Sequence, residues 1–142
     1  MIAIDTNILV YAHRPEFSQY ARARERLTAL AEGSALWALP VFCLGEFIRI
    51  TTHPRFLTPP STLDESLAAL SGLLESPSLS ILVPGDRFWA LFQAALRESR
   101  STGNLAFDAQ IVAVCREHGA RPLLTEDRDF GRFKEFPVEA LS

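Results

Sequence analysis

Five acidic side chains lie where the neighbouring residues are apolar or where a strand is expected to end. Asp5 is the clearest of them, because it follows the apolar stretch Met1–Ile4 and precedes the apolar stretch Ile8–Tyr11. A buried carboxylate without a partner costs several kcal/mol or shifts its pKa. A functional role is therefore a better explanation of Asp5 than a purely structural one. The other four acids are Glu46, Asp108, Asp127 and Asp129.

Convergence of these acids would favour a metal ion. Two carboxylates about 5 Å apart repel by roughly 3 kcal/mol at an effective dielectric constant near 20, so several together would not stay ionised unaided. A divalent cation removes the repulsion, and ligands that are all oxygen select Mg²⁺ or Mn²⁺ over zinc. Mg²⁺ bound by a few carboxylates usually completes its shell with water and substrate phosphates. The predicted chemistry is metal-assisted hydrolysis of a phosphodiester.

Each acid also has an ordinary structural explanation. Asp5 can cap a helix that starts near Asn7, and Glu46 is spaced to pair with Arg49 on one helix face. Asp108 lies in an early helical turn, where the helix dipole favours negative charge. The two aspartates of "TEDRD" can be turn residues. The functional interpretation is stronger when the five acids are considered together.

Short apolar strands alternate with helical patterns, which predicts an α/β fold with a parallel sheet of four to five strands covered on both faces. The predicted strands are "MIAI", "ALWAL", "LSILV", "RPLLT" and "VEAL". The predicted helices are 7–12, one within 16–32 ended by Gly33, one opened by Pro40, one capped by Ser61 or Thr62, 86–100, and one capped by Asn104 and ended by Gly119. Ligands in such folds bind at the carboxyl ends of strands, where Asp5, Asp127 and Asp129 are expected.

Length and composition predict one domain over residues 1–142. The N-terminus has no basic region or cleavage site, and no apolar run is long enough to span a membrane, so a cytoplasmic location is expected. Cys43 and Cys115 lie in apolar helices without a CxxC motif and are expected to be buried hydrophobic residues.

Several enzyme classes do not fit the sequence. There is no GxSxG, P-loop or GxGxxG motif. A phosphorylation receiver domain would need a lysine at the end of a strand, but Lys134 follows the acidic loop. A haloacid-dehalogenase-like phosphatase would need a second aspartate two residues after Asp5, where this chain has Asn7.

Four segments together resemble the PIN-domain ribonucleases, and among them the VapC toxins of bacterial toxin and antitoxin pairs. They are "MIAIDTNILVYA", the helix around Glu46, "TGNLAFDAQIVAVCREHG" and "LLTEDRDFGRF". The resemblance implies a three-layer α/β/α fold, a Mg²⁺ or Mn²⁺ site, and cleavage of structured RNA, such as loops of tRNA or rRNA, by a small homodimeric toxin.

The same resemblance assigns roles to individual residues. The family's acidic quartet, catalytic and metal-binding, corresponds to Asp5, Glu46, Asp108 and Asp127. A further acid beside it corresponds to Asp129, and which of these last two aspartates contacts metal stays open. Residues that support the site correspond to Thr6, Asn7 and Thr125.

A protein partner is also implied, a VapB-like antitoxin whose tail covers the toxin. An apolar groove for it could involve Phe17, Tyr20, Leu27, Phe56 and Leu57, although core packing is the better explanation for most of these residues. The alternative function is a catalytically silent PIN-like module that binds RNA or protein without cutting it.

RNA binding needs local cations, because the net charge of the chain is −3. The candidates are Arg97 and Arg100 before "STGNLAFD", and Arg128, Arg132 and Lys134 in or beside the acidic loop. Arginine binds phosphate through paired hydrogen bonds. Pairing with a neighbouring aspartate is an equal alternative for Arg128, and a solvent-exposed position is expected for Arg132.

Overall fold

A sheet of five parallel strands lies at the centre of the computed structural model, which describes residues 1–141. Ser142, the last residue of the predicted domain, lies outside the described residues. The strand order is β3-β2-β1-β4-β5, and every neighbouring pair is parallel. The strands are β1 (Ile2–Ile4), β2 (Trp37–Pro40), β3 (Leu79–Leu82), β4 (Leu123–Leu124) and β5 (Val138–Glu139).

Helices cover the sheet and give the three-layer α/β/α fold that was predicted. They are α1 (Thr6–His13), α2 (Tyr20–Glu32), α3 (Phe42–Thr51), α4 (Leu63–Leu74), α5 (Phe88–Ser99) and α6 (Leu105–His118), followed by a short 3-10 helix (Arg128–Arg132). Helix α1 packs against α2 and α3, α3 packs against α4, and α5 packs against α6, which also contacts β2 and β3. Within residues 1–141, no helix is long and apolar enough to cross a membrane.

The order of the strands reverses between β1 and β4. From β1 the chain builds outward through β2 to β3, and it then returns to place β4 and β5 on the other side of β1. In open α/β sheets, ligands bind in the crevice outside the carboxyl ends of the strands at such a reversal. Asp5 follows β1 and Thr125 follows β4, so both residues lie at this crevice.

The core is built from the strands and from α6. Strand residues such as Ala3, Ile4 and Leu123 have no exposed surface. Helix α6 is buried over five consecutive residues, 111–115, which is more than one helical turn and accounts for the apolar sequence IVAVC of this stretch. Cys43 and Cys115 are free and buried, as predicted.

Pro40 was predicted to open a helix, but it is the last residue of β2, and α3 begins at Phe42. The amide groups of Trp37 and Val41 donate to carbonyl oxygens on the β3 side of the strand. Successive residues of a strand alternate in direction, so the amide that Pro40 lacks would face the β1 side. The paired residues of β1 and β2 extend only to Ala3 and Ala38, so Pro40 lies beyond the paired part of these two strands.

The predicted helix caps differ in outcome. Thr62, rather than Ser61, caps α4: its hydroxyl accepts a hydrogen bond from the backbone of Glu65, whose carboxylate accepts one from the backbone of Thr62. Asn104 precedes α6, but its side chain makes no capping hydrogen bond, because its backbone is already helical. Gly119 ends α6 with a φ of 67°, as a glycine at this position allows.

Candidate metal centre

Asp5 is held by hydrogen bonds at the crevice between β1 and β4. Its side chain is buried, with 5% of the residue exposed. One carboxylate oxygen accepts a hydrogen bond from the backbone amide of Thr6 at 2.7 Å. The other accepts from the hydroxyl of Thr125 at 2.7 Å and from the side-chain amide of Asn7 at 3.3 Å. Asp5 therefore caps α1 and also presents a fixed carboxylate at the crevice.

Thr125 connects the two strands at this point. Its hydroxyl donates to Asp5 and accepts hydrogen bonds from the side chain of Asn7 at 3.2 Å and from the backbone amide of Asp127 at 3.0 Å. The side-chain oxygen of Asn7 in turn accepts from the backbone amide of Glu126 at 3.3 Å. This network fixes the loop after β4 relative to the end of β1.

Three aspartates form a close group beside this network. Asp108, Asp127 and Asp129 each offer a carboxylate oxygen, and these oxygens lie within 4.8 Å of one another. Asp127 lies just after β4, and one of its oxygens accepts from the backbone amide of Asp129 at 2.8 Å. Asp108 lies in the first turn of α6. The structure thus brings together acids that are about twenty residues apart in the sequence.

Burial and shared negative charge both shift the pKa values of these acids. Burial, with the charges of Asp127 and Asp5 as smaller contributions, raises the pKa of Asp108 to about 7. Burial also raises the pKa of Asp5 to about 6, against the hydrogen bonds from Thr125 and Thr6, which lower it. The charges of Glu46 and Asp127 add to the increase at Asp5.

Glu46 lies at the edge of the same charged region. It is half-buried on α3, and its charge acts on Asp5, although no close group of three acids among the described residues includes either of them. The predicted alternative, an ion pair with Arg49, does not form. The guanidinium of Arg49 lies instead 5.5 Å from the centre of the Phe56 ring. Glu46 lines a cleft of about 220 Å³ between α3 and α6.

A PIN-domain family model matches residues 2–135 of the chain. A VapC ribonuclease of Mycobacterium bovis, Mb2897, is 35% identical over 134 residues, which cover 94% of this chain and 90% of that protein. The chain belongs to the PIN-domain family. Its similarity to the VapC ribonucleases extends to ribonuclease VapC25 of Mycobacterium tuberculosis, which is 29% identical over 133 residues, 94% of this chain and 93% of that protein.

Solved structures of this family have the same fold. VapBC2 from Rickettsia felis, bound to a DNA fragment from its promoter, aligns with a TM-score of 0.69 and 21% identity over 99% of this chain and 98% of that chain. VapC20 of Mycobacterium tuberculosis, a toxin that cleaves the sarcin-ricin loop, aligns with a TM-score of 0.66 and 18% identity over 92% of this chain and 93% of that chain. These structures show the fold, while the family model and the ribonuclease relative at 35% identity make the chain a PIN-domain enzyme of the ribonuclease class.

The donor set of this PIN domain fits a hard divalent cation. The grouped side chains offer carboxylate oxygens and neither sulfur nor imidazole nitrogen. Such ligands suit Mg²⁺ or Mn²⁺ rather than zinc. Burial and then the neighbouring carboxylates raise the pKa of Asp108, and a bound cation would favour its ionised form again.

Arg132 was expected in solvent, but the structure places it against the acidic group. Its Nη2 atom lies 3.5 Å from a carboxylate oxygen of Asp108, and its Nε donates to the backbone carbonyl of Asp129 at 2.9 Å. The expectation was wrong because the chain forms a 3-10 helix here, which turns the side chain back toward Asp129. The spacing of three residues between Asp129 and Arg132 in the sequence could have indicated that this side chain turns back toward Asp129.

Two further residues near the site were missed. Tyr11 is half-buried on α1, and the charges of Glu126, Asp127 and Asp5 contribute, after burial, to raising its pKa. The carboxylate of Glu126 accepts a hydrogen bond from the backbone amide of Leu141 at 2.7 Å, which holds the end of the chain near the crevice. The spacing of Tyr11, one helical turn after Asn7, could have indicated its position.

The three arginines predicted to bind RNA are exposed. Arg97 lies in the last turn of α5, Arg100 follows that helix, and Arg128 begins the 3-10 helix. Within residues 1–141 their guanidinium groups make no ion pair or hydrogen bond. The alternative in which Arg128 pairs with a neighbouring aspartate is therefore not observed.

The apolar groove differs from the predicted one. Leu27 and Leu57 are buried, and Phe17 packs edge-on against Tyr11 with ring centres 5.3 Å apart. These residues contribute mainly to the core, which was the alternative explanation. The groove that the structure contains has a volume of about 380 Å³ and lies between α1, α2, α3 and α4. Its lining includes Leu9, Ala12, Arg24, Leu27, Leu70 and Leu73.

The raised carboxyl pKa values predict how the stability of the metal-free protein depends on pH. A carboxyl whose pKa rises on folding stabilises the protein below its unfolded value of 3.8, and this contribution is lost as pH rises through the folded value. The free energy of unfolding should therefore fall between about pH 4 and pH 7. At pH 8, Asp108→Asn should raise it by roughly 1 to 2 kcal/mol.

Urea unfolding in EDTA at pH 4 and at pH 8 measures this difference. The gain from Asp108→Asn should disappear at pH 4. There Asp108 is protonated in the folded wild type, so position 108 is uncharged in both proteins. Asp86→Asn is the matched control, because Asp86 is an exposed turn residue. An equal gain at both pH values would show that charge repulsion is not the cause.

The hydrogen bonds of the Thr125 hydroxyl are the basis of a second prediction about stability. Thr125→Val removes the hydroxyl that donates to the buried carboxylate of Asp5 and accepts from the backbone amide of Asp127. The free energy of unfolding should fall by roughly 1 to 3 kcal/mol in denaturant titrations. Thr125→Ser keeps the hydroxyl and should stay close to the wild type. A loss in Thr125→Ser, with Thr125→Val close to the wild type, would assign the effect to packing of the methyl group.

Proposed function

We propose that this chain is a Mg²⁺- or Mn²⁺-dependent endoribonuclease toxin that cleaves structured RNA, such as loops of tRNA or rRNA. The grouping of Asp108, Asp127 and Asp129 beside the fixed carboxylate of Asp5 carries the proposal. These acids and Glu46 would hold the metal and form the catalytic site. A cytoplasmic location accords with such substrates.

The chain's own residues prepare this chemistry in distinct ways. Asp5 is oriented before any ion arrives, because Thr6, Asn7 and Thr125 donate to both of its oxygens. Asp108 reaches the same crevice from α6, so the site joins two parts of the fold. A bound divalent ion would activate a water molecule and stabilise negative charge at the phosphate. Asp127 and Asp129 both remain candidate ligands.

RNA would be held by arginines around the site. Arg128 lies between the two aspartates of the loop, while Arg97 and Arg100 lie at the end of α5, before the segment that leads to Asp108. Their guanidinium groups have no protein partner within residues 1–141, which leaves their donors free for phosphate oxygens.

A VapB-like antitoxin is the proposed protein partner. Solved structures with the same fold include toxin and antitoxin complexes, such as VapBC-1 from Haemophilus influenzae, at a TM-score of 0.67 and 20% identity. The groove between α1 and α4 has a floor of leucine and alanine side chains and includes Arg24. Such a groove suits the apolar face of an amphipathic segment that also carries acidic residues.

A second copy of the chain is the other proposed partner. Helix α5 exposes Trp89, with 64% of the residue accessible, next to the stacked rings of Phe88 and Phe92. Exposed aromatic side chains in a continuous patch are typical of protein interfaces. This face of α5 is our candidate for the homodimer contact.

Cleavage of total cellular RNA tests the enzymatic proposal. The purified chain should cut RNA in Mg²⁺ or Mn²⁺, stop in EDTA, and recover when the ion is restored. Asp108→Asn should reduce the rate by roughly 100-fold or more, because even residues that support metal ligands contribute 10- to 100-fold. Asp86→Asn is the control and should cut normally.

Without an antitoxin, expression of the wild type but not of Asp108→Asn should arrest growth.

The result that contradicts this proposal is full cleavage by Asp108→Asn. RNA binding with no cleavage by the wild type would favour the alternative, a catalytically silent PIN-like module. The intact acidic set is the observation that disfavours this alternative.

If the exposed arginines bind phosphate, their removal should change how the affinity for RNA depends on salt. Replacing Arg100 and Arg128 with Ala in the inactive Asp108→Asn background should weaken RNA binding and flatten the plot of log affinity against log salt. The slope should change by roughly one unit or slightly more, since each phosphate contact on a single strand contributes about 0.7. Filter binding at several salt concentrations measures it. An unchanged slope and affinity would place RNA on another surface, such as the arginines of "ARARERL" in α2.

A further inference from the structure

Arg132 is anchored beside the acidic group by two contacts that do not involve a carboxylate. Its Nε donates to the backbone carbonyl of Asp129 at 2.9 Å, and its guanidinium carbon lies 5.5 Å from the centre of the Phe133 ring. These contacts fix the plane of the guanidinium. The positive charge is permanent, because an arginine side chain does not lose its proton in proteins.

The free end of this guanidinium faces the acids. Nη2 is fully buried and has no hydrogen-bond partner among residues 1–141, yet it lies 3.5 Å from a carboxylate oxygen of Asp108. A buried N–H donor without a hydrogen bond is costly. Its position is explained by the charge of the three aspartates, since Nη2 brings a cation to a group of anions.

We propose that Arg132 is the built-in counter-cation of this acidic group and that it competes electrostatically with the divalent ion. The inference rests on the proposed metal centre. Because Arg132 is anchored by Asp129 and Phe133, its charge stays in place when an ion binds. It therefore lowers the repulsion among the acids in the metal-free protein and weakens binding of the ion. Arg132 thus sets the metal concentration at which the enzyme becomes active.

Arg128 provides a matched control in the same short helix. It carries the same charge and flanks the same aspartates, but it is exposed and its guanidinium has no ion pair within residues 1–141. Arg132→Gln and Arg128→Gln change the net charge equally. A difference between them reports the position of the charge rather than its sum. Arg132→Lys keeps a cation but loses the planar fork that donates to Asp129.

Calorimetric titration of the full chain with Mn²⁺ tests the proposal. Arg132→Gln should lower the Kd for Mn²⁺ by roughly tenfold or more, since a positive charge a few ångströms from the ion is removed. Arg132→Lys should stay within about threefold of the wild type, and so should Arg128→Gln. In EDTA, Arg132→Gln should unfold at a lower urea concentration than Arg128→Gln, and saturating Mn²⁺ should remove this difference.

Each other outcome overturns the proposal in a distinguishable way. Weaker Mn²⁺ binding by Arg132→Gln would mean that Arg132 supports the geometry of the site. An unchanged Kd would mean that its charge does not reach the ion. Equal tightening by Arg128→Gln would assign the effect to net charge. If the wild type itself binds no Mn²⁺, the proposed metal centre fails together with this inference.

Discussion

Carboxylates that share a partly dehydrated crevice repel one another, and the functional region of this protein depends on how that repulsion is held in check. Burial and neighbouring charge raise the pKa of Asp108 to about 7 and that of Asp5 to about 6. Hydrogen bonds offset part of this cost at Asp5, where three donors converge. At Asp108 the nearby cation is Arg132. The two acids are thus stabilised by different means. Hydrogen bonds from protein donors stabilise the carboxylate of Asp5, and the positive charge of Arg132 stabilises that of Asp108.

The sheet makes this arrangement possible because it places the ends of β1 and β4 side by side. The amide of Asp5 donates to the carbonyl of Leu124 at 3.0 Å, and the amide of Thr125 donates to the carbonyl of Glu139 at 2.9 Å. These bonds extend the sheet for one residue beyond each strand, into the crevice itself. A shift of one residue in the pairing would turn Thr125 away from Asp5, because successive side chains face opposite sides of a strand. The register of the central strands therefore determines the geometry of the acids.

The parts of the fold that could be predicted from the sequence are those with a local cause. The apolar runs at Ile2–Ile4 and Leu79–Leu82 and the glycine after α6 each carry their own signal. Pro40 was misassigned because its helix-starting preference is local, whereas its place at a strand end depends on where β1 stops. Arg132 was misassigned for a similar reason. Its partner Asp108 is distant in the sequence, and no short-range pattern connects the two residues.

Electrostatics also connects metal binding with RNA binding in a chain of net charge −3. Without an ion, the acidic group and a phosphate backbone repel each other. A divalent ion at the group would offset most of the negative charge of its three aspartates, and the anchored guanidinium of Arg132 would offset the remainder, so that phosphate would no longer be repelled. Ion and RNA would each increase the affinity for the other by the same factor, because coupling between binding sites is reciprocal. Under the proposed function, the arrangement would therefore admit RNA to this crevice when the ion is present, although the protein as a whole carries the same sign of charge as its proposed substrate.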